Sequence, residues 1–321
     1  MKKTLRILLL GLFAASSMSL TSCKDDLIDI GILQVMTHDA LNGARDGFIE
    51  QLKEEGFVEG ENIRISKNAA EGDTATENSM ATKLATSSDL VFGISTSSAL
   101  ALKSAVSDAE KETPVLYSAV TDPIGAGLIK SVTDHGNIVG TSDAGPTSKN
   151  IALFKEFAGI TKIGILYNQA EPNSQVQKKE CQKACDDLGL TLVDGGVTAS
   201  NEIFSSLSGM IGEGIKGLFV PTDNLIASSM QALKETLIEN KIVTVCADKA
   251  STDKGGTLGY SVDYTLLGKT TGKMAARILK GEKISSITCS LSDSFPLEIN
   301  EEFFKKTGLS LPDSLAKDRQ I

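Results

Sequence analysis

Tryptophan is absent from the 321 residues, histidine occurs twice, and basic side chains are in the minority. Each shortage removes a class of function. Two histidines leave little room for a histidine-built metal site or for a histidine general base with an orienting partner. Against 41 acidic side chains stand 32 basic ones, a net charge of −9. Taking away Lys2, Lys3 and Arg6 of the first 22 residues moves it to −12. A phosphate backbone attracts the opposite sign, so nucleic acid is not an expected partner. Beyond Cys23 no run of about 18 apolar residues occurs, so nothing else is suited to span a bilayer. Walker loop, nucleophile elbow and H-E-x-x-H are all missing. Gly212-Glu213-Gly214-Ile215-Lys216-Gly217 matches a dinucleotide fingerprint, but it leads from a helical stretch into a strand, the reverse of the order that works. No catalytic residue, cofactor or metal is expected.

What is present begins with an address. Met1 to Arg6 is basic, Ile7 to Ala15 is apolar or small, and polar small residues follow, the pattern of a signal peptide over residues 1–22. Leu20-Thr21-Ser22-Cys23 resembles the lipobox of bacterial lipoproteins, in which the cysteine becomes the lipidated first residue. Each buried methylene of an acyl chain contributes about 0.8 kcal/mol, enough for several chains to hold a domain at a membrane. The expected location is the exported face of a bacterial membrane, with Cys23 as the anchor. An uncleaved N-terminal span is the alternative. Cys181, Cys185, Cys246 and Cys289 read as buried thiols, because the first two stack four apart on one helical face and bridge poorly.

From Ile28 the chain alternates apolar runs with helical periodicity. Strands are predicted at Ile30–Met36, Asn62–Asn68, Leu90–Ser95, Pro114–Val120 and Asn137–Thr141, then at Lys162–Asn168, Thr191–Val197, Gly217–Pro221, Ile242–Ala247 and Thr257–Val262. Several are apolar throughout, as strands covered on both faces are. Between them lie amphipathic helices, such as the one carrying Leu41, Ala44, Phe48 and Leu52 on one face and stopping at Gly56. Ten strands are too many for one such sheet. The expected fold is α/β, two doubly wound parallel-sheet lobes joined by hinge strands. The break follows Thr141, in the polar stretch Ser142–Lys149, and the chain recrosses near Val262 and Ser292. Residues 29–141 plus 264–292 would form one lobe, and 142–263 plus 293–321 the other.

Ligands of open parallel sheets sit beyond the carboxyl ends of the strands. The loops there carry Thr96-Ser97-Ser98, Thr121-Asp122-Pro123, Glu171-Pro172-Asn173-Ser174, Thr222-Asp223-Asn224 and Asp248. Two readings stay open for each. Ser, Thr, Asp and Asn before a helix are ordinary N-caps, with Pro123 suited to a first helical position after Asp122. Several helix N-termini facing one cleft also attract a carboxylate, while Asp122, Glu171, Asp223 and Asp248 would hold an ammonium. That combination suits a zwitterion. All five arginines (Arg6, Arg45, Arg64, Arg277, Arg319) fall outside these loops, which argues against a guanidinium-bound phosphate or dicarboxylate. His38 follows the first strand and could line the cleft, while His135 sits in a turn.

Several blocks carry a family resemblance: Gly31-Ile32-Leu33-Gln34 with His38 and Leu41, Asn68-Ala69-Ala70-Glu71-Gly72-Asp73, Tyr117-Ser118-Ala119-Val120-Thr121-Asp122-Pro123, and Tyr167-Asn168-Gln169-Ala170-Glu171-Pro172-Asn173-Ser174. Val220-Pro221-Thr222-Asp223-Asn224 and Gly268-Lys269-Thr270-Thr271-Gly272-Lys273-Met274-Ala275 complete it. Over residues 29–312 the sequence resembles the bacterial ABC-transporter substrate-binding lipoproteins of the type I periplasmic-binding-protein fold. Within them it is similar to the branch for tryptophan and tyrosine uptake. The resemblance implies a monomeric clamp that closes on an amino acid and docks on an ABC permease. By position, Thr96, Ser97, Ser118 and Thr121 would meet the carboxylate. Glu171, Asn173, Asp223 and Asp248 would meet the ammonium or donors of the opposite lobe, with Asp122 and Ser174 beside them. The alternatives are a sensory receptor module of the same fold and an α/β enzyme.

Overall fold

A computed structural model describes residues 27–318. The expected signal peptide and Cys23 lie outside the described residues. The chain opens with β1 (Ile28–Gln34), α1 (Asp39–Glu54), β2 (Ile63–Ala69), α2 (Thr74–Ser87), β3 (Leu90–Ile94), α3 (Thr96–Asp108), β4 (Val115–Ser118) and β5 (Ile138–Ser142). A second series comprises α4 (Thr147–Ala152), β6 (Lys162–Asn168), α5 (Pro172–Leu188), β7 (Thr191–Val197), α6 (Ile203–Gly212), β8 (Gly217–Val220), α7 (Asn224–Glu239), β9 (Val243–Cys246), α8 (Lys249–Lys254) and β10 (Leu258–Tyr260). The end of the chain adds α9 (Tyr264–Leu279), β11 (Ser290–Leu291), β12 (Leu297–Ile299), α10 (Glu301–Thr307) and α11 (Asp313–Asp318).

These strands make two six-stranded sheets, ordered β11-β5-β4-β3-β1-β2 in lobe 1 and β12-β10-β9-β8-β6-β7 in lobe 2. Every residue of β3, β4, β8 and β9 is buried, which is why those segments are apolar without alternation. Local chemistry marks the helix ends. Asp73 caps α2 by accepting from Thr76 N at 2.7 Å, Pro172 occupies the first position of α5, and Gly189 ends α5 with φ +65°. The four described cysteines are free and buried.

Two expectations need correction. The lobe 2 sheet is not wholly parallel, because β12 runs antiparallel to β10. A short link, Ser292–Pro296, carries the chain from β11 of the lobe 1 sheet into β12, which joins the lobe 2 sheet as an edge strand. Second, Asp122 and Pro123 start no α-helix. Asp122 Oδ1 accepts from Gly125 N at 2.7 Å and closes a turn, and the chain passes on irregularly to β5.

Three crossings join the sheets: β5 to β6, β10 to the return in α9, and β11 to β12. Phe295, in the last, touches the apolar cores of both lobes. Helix α9 lies along α1 in lobe 1, and glycines face the contact on both helices. A methyl at Gly47 would strike the Thr265 carbonyl, one at Gly268 the Ala44 carbonyl, and one at Gly272 the Phe48 carbonyl. The two backbones therefore approach more closely than any side chain there would allow. Beneath them Phe48 stacks on Phe92 of β3 with ring centroids 4.2 Å apart.

Candidate functional site

The carboxyl ends of the two sheets face each other across a seam. The loop after β1 meets the head of α7, where His38 Nε2 lies 3.1 Å from Asn224 Oδ1. The loop after β4 meets the loop after β8, where the Thr121 and Thr222 hydroxyls stand 3.3 Å apart. Farther out, Lys254 of α8 pairs with Asp39 of α1 at 2.8 Å. A cavity of about 370 Å³ opens at one edge, lined by Thr96, Asp122 and Ala126 from lobe 1 and by Pro172, Asn173 and Val176 from lobe 2. Two strand ends that feed the lobe 1 wall carry non-glycine residues at positive φ, Ser95 at +114° and Ala119 at +59°. Each costs on the order of 1–3 kcal/mol and persists only because packing enforces it.

Lobe 1 presents hydroxyls. Ser95 Oγ caps α3 by accepting from Ser98 N, and Ser97 and Ser98 both donate to the buried Glu77 carboxylate of α2, at 3.0 and 2.6 Å. Thr96, the first residue of α3, is 2% exposed and its Oγ1 has no partner. Thr121 donates to Asp143 Oδ1 at 2.9 Å, and Tyr264, at the head of α9, donates to Asp143 Oδ2 at 2.6 Å. Ser118 is not brought to the seam. Its hydroxyl is shared with Thr141 and Thr271 inside lobe 1, at 2.8 and 2.7 Å.

Lobe 2 presents carboxylates and amides. Glu171 heads α5 but caps the neighbouring helix. Its carboxylate accepts from Asn224 N at 3.1 Å, Leu225 N at 3.2 Å and Asn224 Nδ2 at 2.6 Å. Asn173 Nδ2 donates to the Thr222 carbonyl at 2.7 Å, and Gln177 donates to the Thr222 hydroxyl. Asp223 caps α7 through Ile226 N at 2.9 Å and also takes Asn168 N and the Ser174 hydroxyl, both at 2.6 Å. Those partners are all in lobe 2, so they tie its loops together. Asp248 caps α8 by accepting from Ser251 N at 2.8 Å.

Burial sets the electrostatics. It raises the carboxyl groups of Glu77, Asp143 and Asp248 above their ordinary values, against the hydrogen bonds they accept. Asp223 is pushed up to about 8, by burial first and by the Glu171 charge second. His38 moves the other way, because burial disfavours its cation more than Asn224 and the nearby carboxylates favour it. Among the strongest influences on these four carboxyls the basic side chain is His38, which acts to lower Asp248.

The strand-end rule finds Thr96, Thr121, Glu171, Asn173, Asp223 and Asp248 at or against the seam, with Ser174 behind Asp223 and Asp122 at the cavity, while Ser97 bonds within lobe 1 to Glu77. It misses Glu77, which lies inside a helix, and Asp143 and Tyr264, which flank crossings. For Asp143 and Tyr264 the sequence signal is a polar or phenolic group beside a hinge.

Known proteins share this arrangement. The ABC transporter substrate-binding protein family matches residues 29–320. A tyrosine-binding protein of Clostridioides difficile (strain R20291) is 35% identical over 280 residues, 86% of this chain and 80% of that one. An ABC domain from Streptococcus pneumonia in complex with L-Trp superposes with a TM-score of 0.84 at 31% identity, covering 91% of this chain and 98% of that chain. A ligand-free, open substrate-binding protein with adhesive properties from Clostridium difficile is 39% identical and covers 89% and 97%, yet its TM-score is 0.67. The nearer sequence is the poorer fit in overall shape. With the two-lobed type I periplasmic-binding-protein fold and a match over nearly its whole described length, the chain belongs to the ABC transporter substrate-binding protein family.

Proposed function

We propose that the bound solute is an aromatic L-amino acid, held between the lobes by its zwitterionic end. The observation that carries this reading is the mismatch between the two walls of the seam. On lobe 1 the N-terminus of α3 offers free N–H groups beside a buried Thr96 hydroxyl without a partner, a setting that favours a carboxylate. On lobe 2 and around it, buried carboxyls are held toward their neutral forms, Asp248 being offset only in part by the nearby His38. A ligand ammonium supplies the remaining positive charge, so closing on a zwitterion improves both walls together. Ala126, Pro172 and Val176 at the cavity give apolar surface for a ring. The aromatic preference draws on the tyrosine-binding relative and the complex with L-Trp.

The mechanism is hinge closure, with no bond made or broken. The solute meets one wall, the second lobe swings onto it, and contacts such as Thr121 with Thr222 form across the seam. As a substrate-binding component of an ABC importer the protein works outside the cytoplasm and delivers its solute to a permease. We further read it as a monomer anchored through Cys23. The Cys23→Ser variant is expected in the soluble fraction, and membrane association that survives the substitution refutes the anchor.

Absence of tryptophan from the chain makes the ligand test direct. The purified protein, unfolded and refolded to strip bound solute, is titrated against free tryptophan with selective indole excitation, so that every signal comes from the ligand. A saturable change that tyrosine or phenylalanine competes away is expected. A flat response from folded protein removes tryptophan as the solute and leaves the clamp with other amino acids or small solutes to hold.

A further inference from the structure

The loop between β1 and α1 is drawn into the seam. Met36 packs against the core of lobe 2, the Thr37 hydroxyl ties back to Glu71 at 2.5 Å, and His38 is 8% exposed. The partner of His38 has a fixed orientation. Asn224 Nδ2 donates to Glu171 at 2.6 Å, so Oδ1 is the atom turned toward the imidazole. Only a protonated Nε2 can meet an amide oxygen, which assigns the tautomer. Glu171 in turn accepts the first backbone N–H groups of α7.

We propose that His38 is a positioning residue of the closed form: by donating from Nε2 to Asn224 it joins lobe 1 to the Asn224–Glu171 pair and so holds the bound ligand in place. The inference rests on the ligand site proposed above, since Glu171 belongs to its lobe 2 wall. A positive imidazole would donate equally well, and burial decides between the two forms. It lowers the His38 pKa, against the bond to Asn224 and the attraction of Asp248 at the head of α8, Glu171 at the head of α5 and Asp39 on its own helix. Asp39 is itself paired with Lys254. In an open form the imidazole meets water and returns toward its ordinary value near 6.5. Acid therefore charges the open form first and works against closure. The buried Asp248 carboxyl acts in the opposite sense, because its raised pKa makes the closed seam take up a proton more readily. Replacing His38 by Gln keeps the donor and the carboxylates and removes only the imidazole titration.

Tryptophan affinity is measured from neutral to mildly acidic pH for wild type, His38→Ala and His38→Gln. Loss of a donor to a buried acceptor is expected to weaken binding by about tenfold or more in the Ala variant, and Gln is expected to recover most of that. Toward acid, the wild type should lose affinity more steeply than the Gln variant, by up to about tenfold per pH unit below about 6.5. Superimposable pH profiles of wild type and His38→Gln overturn the proposal, as does an unchanged affinity in His38→Ala. If the wild type binds no aromatic amino acid, the proposed ligand falls, and the link is decided from the imidazole resonances of the chain's two histidines. A His38 signal in the Nε2–H form that shifts in Asn224→Ala keeps it, and one indifferent to that substitution removes it.

Discussion

Two contacts bring distant parts of this chain together, and they are built from opposite materials. Where α9 meets α1, glycines let backbone touch backbone, and Lys280 even reaches Glu55 across 225 residues of sequence. Where lobe 1 meets lobe 2, the hydrogen bonds and ion pair across the seam join tips of polar side chains: His38 to Asn224, Thr121 to Thr222, Asp39 to Lys254. A dry backbone contact has no hydrated alternative of similar energy, so it is permanent. Polar tips exchange partners with water at little net cost, so the seam can open. The difference separates what the fold needs from what the clamp uses.

The largest effect is expected from filling the permanent contact. Gly268→Ala pushes a methyl into the Ala44 carbonyl and should lower unfolding stability by about 3 kcal/mol. Gly209→Ala, on an exposed turn of α6 with open space around it, should instead raise stability by about 0.5–1 kcal/mol. Urea midpoints for both decide it, and equal shifts would erase the distinction drawn above.

Asp223 comes next, because it stands at the seam yet serves lobe 2 from within. Asp223→Ala strands the N–H groups of Asn168 and Ile226 and should cost about 1–3 kcal/mol in stability. Its pKa is raised in the folded chain, so its contribution is fully present below the unfolded value of about 3.9 and fades as pH rises through about 8. Denaturation across that window should show stability falling with pH, by at most about 1.4 kcal/mol per unit, and Asp223→Asn should flatten the slope. An unchanged slope would mean that the carboxyl is not buried as described.

Thr96→Val sharpens the comparison from the other side. The hydroxyl has no partner within the protein, so its removal should leave thermal stability unchanged while weakening tryptophan binding about tenfold. Lost stability with intact affinity would return Thr96 to the fold. Lys254→Ala should do least, below about 0.5 kcal/mol, because its ion pair with Asp39 is half exposed and screened. Added salt should therefore shrink its effect on ligand dissociation.

Much of the fold is legible in the sequence because buried parallel strands cannot disguise themselves. The apolar run Lys162–Asn168 coincides with β6, and Thr191–Val197, partly buried at the sheet edge, coincides with β7. β12 escapes that logic, since three half-buried residues show neither a full apolar run nor alternation. The site is only half legible. Position beyond a strand end brings Glu171 and Asp223 forward alike, but what each carboxylate does depends on donors more than 50 residues away in the chain. Ser118 has the right position and the wrong neighbours, Thr141 and Thr271, which no local spacing announces. Glu77 lies inside α2 and is found only because Ser97 and Ser98 come to it.

The place of α9 in the chain carries a consequence for how the molecule is made. Lobe 1 supplies five strands before Ser142 but must wait for Tyr264–Leu279 before α1 gains its cover. Lobe 2 has five of its strands in one continuous stretch, from Lys162 to Tyr260. Closing a long loop delays the contacts that depend on it. Each lobe is thus expected to assemble most of its strands before the C-terminal segment returns, leaving α1 uncovered until α9 docks and exposed meanwhile to aggregation and proteolysis. Pulse-labelled hydrogen exchange during refolding should show amides of β6 and β8 protected ahead of those in α1 and α9, and protection in the reverse order would show that α1 docks without its glycine partner.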